Sequence, residues 1–178
     1  MPVLAYIVTA LGAYLLGSIP FGFLVAKAKG VDIRSVGSGN IGATNAMRVL
    51  GKPAGIFVLL MDALKGYAAC AFLAPHIFNW LAPHFYGFVY GHPIDAPFNE
   101  WPSDLVLRIK ILAGICAVLG HNYTCWLKFK GGKGIATTAG VYLALAPWAV
   151  LVALVVAVLL LVPHVVSRVR WISAGPCR

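Results

Sequence analysis

Long apolar stretches alternate along the chain with short, polar, glycine-rich ones, and this alternation sets the first expectation. Residues 1–26 carry no charged side chain, and Lys27 and Lys29 follow at once. About 20 apolar residues cross a bilayer as a helix, so a first span is predicted near 3–26. Further spans are predicted near 54–78 and 105–127. The 34 residues between Lys133 and Arg168 are uncharged. As one straight helix they would measure about 50 Å, against a hydrocarbon core of about 30 Å. Pro147 has no amide hydrogen and clashes with the preceding turn. The segment 135–166 is therefore expected to break there, into helices near 135–146 and 148–163. The fold class is all-α: a polytopic transmembrane helical bundle forming one membrane domain over residues 1–178.

Composition agrees with lipid as the solvent. Hydrophobic residues make up 61% of the chain and charged residues 11%, where a soluble domain runs near a quarter charged. The net charge of +9 does not point to nucleic acid, because the basic residues sit in short loops between apolar segments rather than on a domain-sized surface. Lys27, Lys29, Arg34, Arg48 and Lys52 fall in one loop, and Lys128, Lys130 and Lys133 in another. Asp95, Glu100 and Asp104 occupy a loop without Lys or Arg. The positive-inside rule then places both basic loops in the cytoplasm and the N-terminus outside. The first span is a poor signal peptide, since it lacks a basic start and its apolar run is too long. If the segment broken at Pro147 forms a hairpin, Arg168, Arg170 and Arg178 return to the cytoplasm.

The chemistry lies in the two basic loops. Gly37-Ser38-Gly39-Asn40-Ile41-Gly42 matches the GxGxxG spacing, with Asp62 20 residues beyond Gly42. A dinucleotide site needs strands around that turn, however, and apolar spans flank it here. The loop still allows a ligand close to its backbone and opens a helix over 42–50 whose free amides favour an anion. Arg48 lies one to two turns into that helix, with a forked guanidinium suited to phosphate. The second loop, Phe129-Lys130-Gly131-Gly132-Lys133-Gly134, is not a Walker A loop, because Gly134 stands where Ser or Thr would hold magnesium. A Gly-Gly-Lys-Gly turn can aim several amides at one oxyanion, with Lys133 adding charge. Two such loops on one membrane face suggest a site for two anionic groups. Glycines and lysines at interfaces also serve as plain turns and anchors. The packing of Ser38, Asn40, Thr44, Asn45 and Arg48 into eleven residues favours function.

These residues resemble a known family. The run from Ser38 to Arg48 is similar to the first motif of the bacterial acyl-phosphate-dependent glycerol-3-phosphate acyltransferases. Gly120-His121 with Phe129–Gly134 is similar to the second. Gly17–Gly22 and Asp62–Gly66 resemble that family's first two spans. The resemblance implies a multi-pass enzyme of phospholipid synthesis in the bacterial inner membrane. It would move a fatty acyl group from acyl-phosphate to the 1-hydroxyl of glycerol 3-phosphate, giving lysophosphatidic acid and phosphate. It implies Ser38, Arg48 and Lys133 as catalytic residues. Gly39, Asn40, Thr44, Asn45, His121, Gly131, Gly132 and Gly134 would bind substrate and phosphate. No metal, nucleotide or coenzyme A site is expected. The His-x4-Asp base of other glycerolipid acyltransferases follows none of the histidines. An acyl-phosphate is already activated, so positioning and stabilisation of the leaving phosphate can suffice.

Some features lie outside the motifs. The family's third motif would begin near Ser167-Arg168, where this chain reads Val169 to Arg178 instead, so 167–178 is read as an atypical tail, without helical amphipathicity and too short for another span. Thr124 stands where the family usually has proline. Asp62 and Lys65, three apart on one helix, are expected to form an internal ion pair. His76, His84 and His92 are too widely spaced for zinc, and Phe78 to Trp101 reads as an interfacial aromatic belt. Two other readings stay open: an anion transporter, whose helices also break at prolines, and a truncated relative that binds phosphate without turnover. The absence of an internal repeat and the gathering of polar residues on one face weigh against the transporter.

Overall fold

The computed structural model describes residues 2–81 and 102–173, with side chains placed over 3–81 and 102–161. Asp95, Glu100, His84 and His92 lie outside the described residues. Among those described, every regular element is helical. Two compact units are present, 1–145 and 146–178.

In the first unit, helix α1 (Pro2–Ser18) and helix α2 (Phe21–Ala28) occupy the stretch expected as one span. The interruption at Ile19–Pro20 follows from proline's missing amide hydrogen. It frees carbonyls inside the bundle, and distant side chains take them up. The Thr124 hydroxyl donates to Ser18 O at 2.6 Å, and Lys65 Nζ donates to Ile19 O at 2.9 Å. Helix α3 (Ala43–Leu50) follows the first basic loop. Helix α4 (Lys52–Ala68) passes through a π-turn at Ala69–Leu73 and continues to Leu81. Helix α5 (Ser103–Asn122) ends in a 3-10 turn at Cys125–Leu127, and helix α6 spans Ile135–Leu145.

Small residues set the crossings. A Cβ at Gly17 would run into Ala117 O, and one at Gly120 into Tyr14 O, so α1 and α5 meet backbone to backbone. Gly66 against Thr137, and Gly140 against Ala63, bring α4 and α6 equally close. Without a strong hydrophobic drive between helices in lipid, such small-residue seams supply packing. Large apolar side chains such as Leu11, Leu60 and Ile115 are exposed on the outside, the inverse of a soluble bundle. Val3–Ala28 and Lys52–Leu81 are long and apolar enough to span a membrane. Helix α5 carries Asp104, Arg108 and Lys110 in its first turns, with Arg108 3.5 Å from Asp104.

The second unit is helix α7 (Pro147–Ser173), apolar on all sides from Trp148 to Val162. It extends through residues 167–173, past the end near residue 163 expected for this helix. No Gly or Pro interrupts that stretch, and Gly175 and Pro176 come only after its end.

Candidate active site

The first basic loop is shaped by one buried side chain. Asn45, in the first turn of α3, accepts from the Ser38 amide at 2.9 Å. Its Nδ2 reaches three carbonyls, Ile33 at 3.2 Å, Val36 at 3.1 Å and Asn40 at 2.9 Å. Gly37, at φ +64°, leaves room for this amide, since a Cβ there would meet Asn45 Oδ1. Asn40 Oδ1 accepts from the Gly42 amide at 2.8 Å and so shapes the entry to α3. Both asparagines, expected to bind substrate, have amides engaged in holding the loop. Towards solvent, Arg34 donates to both Asp32 carboxylate oxygens, at 3.0 and 2.9 Å, and lies 4.9 Å over the Phe23 ring. These bonds hold the Asp32 carboxyl below its ordinary pKa and raise that of Arg34.

Main-chain bonds organise the second loop. Lys128 and Phe129 both take left-handed backbone, with φ of 54° and 61°. The chain turns back so that Gly131 donates to Asn122 O and Gly132 to His121 O, each at 3.0 Å. The expectation that these amides point at an anion is thereby corrected, because they satisfy carbonyls at the end of α5. Gly132 also sits so close to the His121 ring that a Cβ would collide with Nε2. The amides left without an intrahelical acceptor belong to the first turn of α6, which opens at Ile135 beside Lys133 and Gly134.

The two loops enclose a cleft of ≈ 290 Å³. Ser38, Arg48, Lys133, Asn40, Thr44, Asn45, His121 and Gly134 line it, together with Asp62. Gly39 and Gly131 face a neighbouring hollow beside Asp32, Arg34 and Lys130 instead. Arg48 and Lys133 have no ion-pair partner among the described residues. The cleft thus carries two uncompensated cations and one carboxylate, and that carboxylate is neutralised by Lys65, whose Nζ lies 3.0 Å from Asp62 Oδ1. The arrangement suits a dianionic ligand. Asp62 is a wall residue that the sequence reading favoured as half of a structural ion pair over a functional group. Its signal was the carboxylate inside an apolar helix. No group of three or more metal-ligating side chains occurs among the described residues.

Helices throughout the described residues, a lipid-type exterior and a cationic cleft between glycine-rich loops define the class as an integral membrane protein. Comparison with known proteins makes this specific. The profile of the glycerol-3-phosphate acyltransferase family matches residues 7–175, and the chain belongs to that family. It is 49% identical over 141 residues to a glycerol-3-phosphate acyltransferase of Geobacter metallireducens, covering 79% of this chain and 59% of that one. It is 44% identical over 164 residues to one of Trichlorobacter lovleyi, covering 92% and 68%. The crystal structure of PlsY, an integral membrane glycerol 3-phosphate acyltransferase, in its glycerol 3-phosphate form superposes with a TM-score of 0.62 at 37% identity. That match covers 88% of this chain and 66% of PlsY. The lysophosphatidic acid form gives 0.58 at 36% identity, covering 84% and 61%. The chain therefore spans about three-fifths to two-thirds of the length of these relatives.

Proposed function

We propose that the chain transfers a fatty acyl group from acyl-phosphate to the 1-hydroxyl of glycerol 3-phosphate, forming lysophosphatidic acid and inorganic phosphate. The observation that carries this reading is that two cations without an ion-pair partner among the described residues, Arg48 and Lys133, face one cleft from two loops. Family membership and the glycerol 3-phosphate and lysophosphatidic acid bound to PlsY support it. In this reading Lys133 and the first turn of α6 receive the donor's phosphate, and Arg48 receives that of glycerol 3-phosphate. Ser38 and Thr44 supply hydroxyls to orient the acceptor, and His121 holds the turn. The glycerol hydroxyl oxygen bonds to the acyl carbon, the bond from that carbon to the phosphate oxygen breaks, and the departing phosphate takes the proton. The protein's contribution is positioning and charge stabilisation. Both basic loops face the cytoplasm in this reading, following the positive-inside rule.

Purified protein in detergent, given labelled glycerol 3-phosphate and palmitoyl-phosphate, is expected to form lysophosphatidic acid. A parallel reaction with an acyl-coenzyme A donor is expected to form none. Product from the thioester alone would overturn the donor assignment, and no product from either would overturn the activity.

A further inference from the structure

We propose that Asp62 and Lys65 are positioning residues of the cleft, acting through the His121 imidazole on the glycine turn that carries Lys133. The inference rests on the cleft being the acyl-phosphate site. The ion pair is almost fully enclosed, with the Lys65 and Asp62 side chains 2% and 3% exposed. Placing two charges inside an apolar bundle is costly, and such groups mark functional positions by default. The Asp62 oxygen that meets Lys65 also lies 3.5 Å from His121 Nδ1. That nitrogen is buried and has no hydrogen-bond partner among the described residues, so Asp62 is the polar group it faces. The opposite edge of the ring, Nε2, abuts Gly132. Lys65 in turn donates to Ile19 O, at the interruption between α1 and α2.

A chain of neighbouring groups thus runs from the broken first span through Lys65, Asp62 and His121 to the turn before Lys133. Each member has a distinct task. Asp62 orients the ring, and the ring sets how near Gly132 can approach α5. Lys65 neutralises a carboxylate that would otherwise repel phosphate from the cleft wall. Because Gly131 and Gly132 bond to the last carbonyls of α5, a ring that turns carries the Lys133 backbone with it. Misplacement by about 1 Å is enough to cost on the order of 100-fold in rate.

The test uses the full chain in detergent. The double variant D62L/K65M removes both charges together and leaves no lone buried ion. Its KM for palmitoyl-phosphate is expected to rise about tenfold while that for glycerol 3-phosphate stays within about twofold. Hydrogen exchange at the Gly131 and Gly132 amides is expected to accelerate. An unchanged KM for palmitoyl-phosphate, or unchanged exchange at these amides, overturns the inference. A second pair covers loss of folding in the first. H121N keeps an amide donor on the Asp62 side and is expected to retain slow exchange, while H121L is expected to lose it. Equal exchange in the two overturns the inference. If the unsubstituted chain does not use palmitoyl-phosphate, the reaction assignment fails, and the exchange comparison still decides whether the turn is held this way.

Discussion

The two loops that bound the cleft are held in shape by opposite means. The first depends on a side chain: Asn45 alone ties Ile33, Val36, Ser38 and Asn40 together. The second depends on the absence of side chains, since Gly131 and Gly132 close on the end of α5 and Gly132 presses on His121. A loop held by a side chain fails when atoms are removed. A loop held by close backbone approach fails when atoms are added.

The largest effect is expected where both loops serve the same chemistry. Arg48→Ala and Lys133→Ala each remove an unpaired cation from the cleft, and each should lower acyl transfer by about 100-fold or more. Neither side chain has an ion-pair partner among the described residues to leave behind, so membrane insertion and melting temperature should hardly change. Steady-state kinetics and thermal unfolding in detergent check this. Full activity in both variants would break the site assignment.

Next comes truncation in the first loop. Asn45→Ala leaves the Ser38 amide and the Ile33 and Asn40 carbonyls short of a partner, while Val36 O keeps the Gly39 amide. Leaving such buried groups unsatisfied costs about 1–3 kcal/mol each at most, so a total of about 3 kcal/mol is expected. The matching change in the second loop is an addition. Gly132→Ala should cost about 2 kcal/mol through overpacking against the imidazole, and it should raise the KM for the phosphate donor. Exchange mapping distinguishes the two: Asn45→Ala should loosen residues 33–42, and Gly132→Ala residues 129–134. If either variant loosened both loops equally, the loops would form one cooperative unit and the contrast would collapse.

Why one mechanism was legible in the sequence and the other was not follows from the same contrast. Gly131, Gly132 and Gly134 announce a tight turn, yet nothing in the string tells whether their amides face an anion or a helix end. That depends on how far the chain folds back after Asn122, which the left-handed Lys128 and Phe129 decide. Asn45 reads as a polar site residue because its acceptors lie 5 to 12 positions away in irregular backbone. Pro147 marks a helix boundary in the sequence and in the structure. Pro20 carries the same local signal, but the uncharged run around it favours one uninterrupted span. The side chains that make its break tolerable, Lys65 and Thr124, are contributed from 46 and 106 positions away. The Thr124 hydroxyl donates to Ser18 O, a bond that a proline at that position could not make.

The smallest effect sharpens the comparison at the solvent edge of the first loop, where the tie is ionic. Arg34 bonds hold the Asp32 carboxyl below its ordinary pKa. A carboxyl depressed in the folded state adds stability above its unfolded pKa and loses it as pH falls through the folded value. The contribution is therefore complete at neutral pH and disappears in acid, below the ordinary carboxylate range. Both side chains are about half exposed, so solvent screening keeps the effect small. Asp32→Asn should make residues 32–36 exchange slightly faster than in the unsubstituted chain at pH 7. The difference should vanish when both are compared in acid or in high salt. A difference that persisted at low pH would show that Asp32 acts through its neutral hydrogen bonds. The first loop would then be tied by uncharged polar groups at its edge as well as at its centre.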